Sequence, residues 1–113
     1  MKCESDVKVR IYGENGTQGF GKGICQILEG VEQYGSINKA TKAMGMAYSK
    51  AWKMITRTEA EFGVSLLDRY GVSGSSLTPE AKKLMRCYKE MSAAAKAMAD
   101  KRMLDILGPS KNI

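Results

Sequence analysis

Histidine is absent from the 113 residues, so the side chain that most often serves as a general base or a zinc ligand is missing. The three cysteines, Cys3, Cys25 and Cys87, lie far apart and form no CxxC pair, which argues against a zinc site. The carboxylates are scattered, and no nucleophile has an evident base. We therefore expect no catalytic residue, no metal site and no cofactor, and the sequence does not indicate an enzyme.

Long apolar runs are missing too. No stretch approaches the ~20 residues of a membrane span, and residues 1–5 lack the apolar core of a secretory signal. We expect a cytoplasmic protein with reduced thiols, in which Cys25 and Cys87 act as small apolar side chains on helices. Acidic residues are in the minority, 12 against 18 Lys and Arg, and the net charge of +6 favours an acidic partner.

The stretch GTQGFGKG at residues 16–23 resembles a phosphate-binding loop, but Gly23 stands where a Ser or Thr should hold magnesium. The strand candidate before it, residues 7–12, alternates apolar and charged residues as a half-exposed antiparallel strand does. A buried parallel strand is expected before a nucleotide loop. We interpret the glycines as a turn at residues 13–16 that leads into a helix.

The order of elements follows from helical periodicity and from stop signals. Glycines at 35, 45 and 63 end three predicted helices, and Thr78-Pro79-Glu80 is a strong helix start. The predicted elements are a strand at 7–12, helices at 22–34, 37–44 and 47–62, a strand at 64–70, a loop at 71–76 and a helix at 79–107. The predicted fold is mainly α with a small β wing, a winged helix-turn-helix with a long C-terminal helix, in one domain over residues 1–113.

The segment 36–62 is the predicted helix-turn-helix, a motif whose second helix enters the DNA major groove. On a helical wheel, the third helix places Tyr48, Ala51, Trp52 and Ile55 on one side and Ser49, Lys50, Lys53 and Arg57 on the other. Residues 33–58 hold five basic residues and no acidic one, which favours a surface that meets phosphates. An ordinary solvated helix face remains the alternative for this charge pattern alone.

The segment GSINKATKAMGMAYSKAWKMI, followed by LLDR and LTPEAKKLMRCY, closely resembles the N-terminal winged-helix domain of ModE-type molybdate-responsive regulators. More distantly it resembles the DNA-binding domain of LysR-type regulators. The match covers residues 20–88, and GMAYSKAW at 45–52 is its most specific part. The resemblance implies a winged helix-turn-helix that binds double-stranded DNA as a homodimer and regulates transcription.

The sequence departs from the ModE pattern in two places. The wing, at about residues 66–77, has a shorter glycine run, which leaves Arg69 and Ser73 to Ser76 as its candidates for DNA contact. The chain also ends about 25 residues after the matching part, so the resemblance covers the DNA-reading half without the molybdate-binding modules. We expect no direct molybdate binding.

The docking geometry of the motif assigns roles to the candidates. Ser49 and Lys50 would read base edges, Lys53 and Arg57 would reach a base or a phosphate, and Tyr48 would pack or contact phosphate. The candidate DNA-binding residues are Ser36, Lys39, Lys42, Tyr48, Ser49, Lys50, Lys53, Arg57, Arg69 and Ser75. Trp52 is expected to point inward.

Assembly is predicted from the last helix, where apolar residues follow a 4-3-4-3 spacing. The candidate dimer interface is Leu84, Tyr88, Met91, Ala95 and Met98. The first half of this seam could equally pack on the domain's own first helix. A second function also stays open, a protein-interaction module that docks through the apolar last helix and has no use for the basic stretch.

Overall fold

The computed structural model describes residues 2–14, 16, 18–69 and 74–108, with the backbone alone for Arg69. Within these residues the elements are α1 (Lys22–Tyr34), α2 (Ile37–Met44), α3 (Tyr48–Phe62), β1 (Leu67–Arg69), β2 (Ser75–Leu77) and α4 (Pro79–Leu107). The two strands form an antiparallel pair. The fold is a winged helix-turn-helix with a long last helix, and the predicted fold class is confirmed.

The described residues form two compact units. Residues 10–88 make up the first, and residues 2–9 with residues 89–108 belong to the second. The single domain over residues 1–113 therefore stays a prediction. None of the described helices is both long enough and apolar enough to cross a bilayer.

Three helices end at glycines whose backbone is left-handed. Gly35, Gly45 and Gly63 have φ of 82°, 67° and 65°, a region that strains residues with a side chain. Each glycine N–H closes the preceding turn on a carbonyl three or four residues back. These stops define the short connections between α1, α2 and α3.

Hydroxyl side chains begin α2 and α4 as predicted. The Ser36 hydroxyl accepts a hydrogen bond from the Lys39 N–H at 3.1 Å, and the Thr78 hydroxyl accepts one from the Ala81 N–H at 3.1 Å. Each bond satisfies an amide that has no partner within its helix, a contribution of about 1 kcal/mol. The helix bounds read from the sequence therefore agree with the structure.

The core of the first unit is built where α1 packs on α2 and α3. Gly30 lies where α1 meets α2, and a Cβ added there would come within 3.0 Å of the Ala40 Cβ. Burial of each large aliphatic side chain contributes about 1.5–3 kcal/mol. The large side chains that are fully buried are Phe20, Ile27, Leu28, Val31, Ile55 and Leu66.

The wing follows α3 and pairs Leu67 with Leu77 and Arg69 with Ser75. Its predicted position at residues 66–77 agrees with the structure, but the first strand is shorter than the predicted 64–70. It begins at Leu67 because the Leu66 N–H donates to the Glu59 carboxylate at 2.8 Å and not to a neighbouring strand. Residues 70–73 lie outside the described residues.

The predicted N-terminal strand at residues 7–12 is wrong in extent. Within the described part of the chain only Ile11 of this stretch pairs, with Phe20, through backbone hydrogen bonds of 3.0 and 2.6 Å. On the opposing segment, the residues on either side of Phe20 are not available for strand pairing. The Gly19 N–H donates to the Glu61 carboxylate, and α1 begins two residues after Phe20. The opposing segment is therefore too short to pair with a full strand.

The first half of the predicted α4 seam is occupied within its own unit. Ala81 is fully buried, and Leu84 and Tyr88 are half-buried against the core. The Tyr88 ring meets Phe20 edge-on, with centroids 6.0 Å apart. This half of the seam therefore packs on the core of its own unit, to which α1, the predicted alternative partner, contributes side chains. In the second half, Met91 and Met98 are exposed, with 42% and 61% of their surface accessible.

Candidate nucleic-acid interface

The third helix separates an inward face from an outward one, as the wheel predicts. Ala51 and Ile55 are fully buried and Thr58 is nearly so, and these side chains seat α3 on the rest of the domain. The outward positions are exposed: Ser49, Lys50, Lys53, Thr56 and Arg57. No described side chain caps the N-terminus of α3 at Ala47, so the helix end that approaches base edges in this motif is open.

The cations of this region have no carboxylate partners among the residues that the structure describes. Among the described residues, none of Lys50, Lys53 and Arg57 lies within 4.0 Å of an acidic group, and the same holds for Lys39 and Lys42 on α2. Positive charge on this surface is therefore uncompensated by the described part of the protein. A polyanion can approach these side chains without breaking an ion pair.

Tyr48 and Trp52 form a pair at the start of α3. The Trp52 Nε1–H donates to the Tyr48 hydroxyl at 2.8 Å, and the rings meet edge-on with centroids 6.4 Å apart. Trp52 packs partly against the core, in agreement with its predicted inward position, while Tyr48 is 47% exposed. The pair supports the Tyr48 ring and leaves the second lone pair of its hydroxyl available.

The candidates on α2 stand beside this surface. Lys39 and Lys42 are exposed, and Ser36 is half-buried with its hydroxyl engaged in the helix cap. Ser36 would therefore meet a ligand through its backbone N–H, since its hydroxyl already accepts a bond within the protein. The geometry suits groups that hold phosphates and set the register of docking.

The wing candidates are only partly described. Ser75 and Ser76 are half-buried in β2. The Ser75 N–H donates to the Gly35 carbonyl at 2.8 Å, which ties the wing to the turn between α1 and α2. The Arg69 side chain and Ser73 lie outside the described residues, so their predicted contacts with DNA stay predictions.

The amides of the glycine-rich loop bind the side-chain carboxylate of Glu61, an interaction that the sequence did not predict. The buried Glu61 carboxylate of α3 accepts hydrogen bonds from the N–H of Gly13 at 3.0 Å and of Gly19 at 3.0 and 3.2 Å. A Cβ added at Gly16 would lie 1.8 Å from Glu61 Oε2. The amide of Gly19, within the phosphate-loop-like stretch, is thus bonded to the protein's own carboxylate, and Gly13 and Gly16 close the predicted turn.

An apolar groove lies on another side of the same unit. Phe62, Val64, Leu84 and Cys87 line a cavity of about 460 Å³ with Glu80 and Lys83 at its edge. Both Cys25 and Cys87 lie on helices as predicted, Cys25 buried in α1 and Cys87 exposed on α4, where it lines this groove. This groove is the surface on which the interaction-module interpretation depends.

Comparison with known proteins decides the family. Residues 25–82 match the family described as bacterial regulatory helix-turn-helix protein, lysR family. The matched segment contains most of α1, all of α2, α3 and the wing, and the start of α4. The chain belongs to this lysR family. The match spans more than half of the 113 residues, and no curated protein matches the chain.

Solved structures agree with this assignment at the level of fold. The lysR-family chain is similar to Corynebacterium glutamicum OxyR in its oxidized form, with a TM-score of 0.59 and 14% identity over 83% of this chain. It spans 28% of that OxyR chain. It is also similar to the DNA-binding domains in two complexes with DNA: CbnR, with a TM-score of 0.57 and 20% identity, and BenM with catB site 1 DNA, with 0.53 and 23%.

The coverage of these two domains is nearly complete. The similarity extends over 73% of this lysR-family chain and 93% of the CbnR domain, and over 70% and 89% for BenM. The family and the fold are those of DNA-binding regulators. The resemblance to LysR-type DNA-binding domains is thereby confirmed, and the resemblance to ModE-type regulators stays a prediction.

Proposed function

We propose that this chain is a sequence-specific, double-stranded DNA-binding regulator of transcription that acts as a homodimer. The observation that carries the proposal is the outward face of α3, where Lys50, Lys53 and Arg57 are exposed and have no carboxylate partner among the described residues. Membership of the lysR family supports it. Within the proposal, the chain reads DNA as a ModE-type winged helix would, and molybdate sensing is not assigned to it.

The proposed contacts divide into base readout and phosphate positioning. Ser49 and Lys50, in the first turn of α3, are assigned to base edges, where a lysine donates to guanine O6 and N7. Lys53 and Arg57, one and two turns further along α3, reach a base or a phosphate, and Tyr48 at the start of the helix contacts a phosphate. The phosphate-positioning set is Ser36, Lys39 and Lys42 on α2, with Arg69 and Ser75 on the wing.

Two alanine variants test this division. Lys50→Ala should reduce the preference for a selected site over a scrambled duplex, because it removes a base contact. Lys42→Ala should weaken both duplexes alike and make the slope of log affinity against log salt shallower by about one, because it removes one phosphate contact. Fluorescence anisotropy at several salt concentrations measures both effects, with a site obtained by selection from a random library.

The outcome that contradicts the assignment is a Lys50→Ala variant with unchanged site preference. Lys82→Ala is a matched control, since it removes one exposed cation from α4 and leaves the helix-turn-helix intact. It should change the salt slope by less than Lys42→Ala does and the site preference by less than Lys50→Ala does.

A protein-interaction module is the second candidate function, and the groove of Phe62, Val64, Leu84 and Cys87 is the observation that favours it. The two functions differ in their response to salt. DNA binding through cations loses affinity steeply as salt rises, whereas apolar docking hardly changes. Failure of the protein to bind any duplex at low salt would favour the interaction module.

A further inference from the structure

A second cavity of the first unit, of about 120 Å³, lies between the start of α1 and the second half of α3. Arg10 and Arg57 both line it, together with Thr58, Gly19 and Gly21. Arg57 comes from the outward face of α3. Arg10 comes from the segment that precedes the glycine-rich loop, which had no part in the predicted DNA-binding surface.

The guanidinium of Arg10 is held in place by the loop. Its Nη1 donates to the Gln18 carbonyl at 2.9 Å, and a Cβ added at Gly21 would lie 3.3 Å from the same nitrogen. The glycine therefore lets the guanidinium lie close against the backbone. One of the five N–H donors of Arg10 makes this bond, and the others remain for a ligand.

The two arginines share the cavity, and the described residues place no carboxylate beside either of them. Neither lies within 4.0 Å of a carboxylate in the described part of the chain. The carboxylate one turn beyond Arg57 on α3 belongs to Glu61, which is bound to the amides of Gly13 and Gly19. Two like charges at one cavity repel each other, and an anion between them removes the repulsion.

We propose that Arg10 and Arg57 bind one phosphate-type oxyanion, and that in the DNA complex this anion is a backbone phosphate beside the groove that α3 enters. Guanidinium groups match the oxygens of a phosphate through paired N–H donors, which is the chemistry this cavity offers. The choice of a DNA phosphate over a free one rests on the proposed function, because Arg57 shares the outward face of α3 with Lys50 and Lys53. The site adds Arg10 to the DNA-binding surface.

The test uses Arg10→Gln, Arg57→Gln and the double variant, with Arg102→Gln on α4 as the matched control. Both arginines are exposed, so the variants should fold with the melting temperature of the parent. Each single variant should weaken duplex binding by about tenfold at low salt, a loss typical of a hydrogen bond to a charged group. Arg102→Gln should leave affinity within about twofold.

The salt slope distinguishes one shared phosphate from two separate ones. Because each neutralised phosphate contributes about 0.9 to the slope, a shared phosphate predicts that the double variant loses about one. A loss of about two in the double variant would mean separate phosphates and would overturn the shared site. Unchanged affinity and slope in Arg10→Gln would overturn it as well.

A second measurement works on the protein without DNA. Inorganic phosphate is titrated while the side-chain N–H signals of the arginines are followed by NMR, and Arg10 and Arg57 should shift together. If both signals shift with millimolar phosphate but the protein binds no duplex, the oxyanion site is supported with a free anion as its occupant. In that case only the proposed DNA-binding function is refuted. No shift, combined with unchanged DNA binding in the variants, would refute the site.

Discussion

Replacement of Glu61 should destabilise the fold by disconnecting α3 from the N-terminal loop. The Glu61 carboxylate accepts hydrogen bonds from the amides of Gly13 and Gly19, and the residue is 9% exposed. A hydrogen bond to a charged group contributes about 1.5–3 kcal/mol. Both glycines are half-buried, so water can reach their amides once the carboxylate is gone. We therefore expect Glu61→Ala to lower the free energy of unfolding by about 2–4 kcal/mol.

A double-mutant cycle with Gly16 makes this prediction specific to the loop. A methyl group at Gly16 would overlap the Glu61 carboxylate, because its Cβ would lie 1.8 Å from Oε2. Gly16→Ala should therefore destabilise the parent more than it destabilises Glu61→Ala. The difference is the coupling free energy, and we expect about 1–3 kcal/mol.

Urea unfolding followed by circular dichroism at neutral pH measures these free energies. Glu32→Ala is the matched control, since Glu32 is an exposed carboxylate on α1, and it should change stability by less than about 0.5 kcal/mol. The account of the loop is refuted if Glu61→Ala behaves like this control and the Gly16→Ala cost is the same in both backgrounds.

Three further perturbations test other parts of the structure. Met98→Glu should leave the fold intact, because Met98 is 61% exposed. It should shift a homodimer toward monomer in sedimentation at tens of micromolar, whereas the control Ala93→Glu, on the opposite face of α4, should not. Gly30→Leu should lower the free energy of unfolding by about 1–3 kcal/mol in urea titration, since even a Cβ there comes within 3.0 Å of Ala40. The Ser5 hydroxyl and then Lys96 hold the pKa of Asp100 below its ordinary value of 3.8. Because the pKa is lowered, the ionised Asp100 stabilises the folded state above pH 3.8, and this stabilisation is lost as pH falls through the folded-state pKa. Ser5→Ala removes the hydrogen bond and should raise the pKa that carboxyl-carbon NMR reports for Asp100.

The helices could be predicted from local chemistry because their ends are specified by single residues. Gly35, Gly45 and Gly63 adopt the left-handed backbone that only glycine tolerates well, and Thr78 caps α4 with Pro79 at its first position. The inward and outward faces of α3 follow from its periodicity, since one side must bury Ala51 and Ile55.

Tertiary contacts decided the features that could not be predicted. The N-terminal strand at residues 7–12 has the right alternation, but Ile11 finds a single partner residue in the described chain because the opposing loop turns its amides to Glu61. In the sequence, Glu61 is one of two carboxylates in the last turn of α3 and belongs to no motif. Its burial depends on a loop distant in sequence, and periodicity within a helix carries no such information.

The charge and helical spacing of the sequence predict that the cations share one face of α3. They do not predict whether acidic side chains from elsewhere in the chain form ion pairs with them. The structure adds that Lys50, Lys53 and Arg57 have no carboxylate partner within the described residues. Arg10 lines a cavity with Arg57, and its position there depends on the fold of the loop and not on any motif.

Amide chemical shifts recorded during titration with duplex DNA would locate the DNA-binding surface residue by residue. The changes should concentrate on α3, at Ser49, Lys50 and Lys53, with weaker effects on Lys39 and Lys42 of α2. Changes confined to the groove of Phe62, Leu84 and Cys87, or no changes at low salt, would contradict the proposed DNA-binding surface.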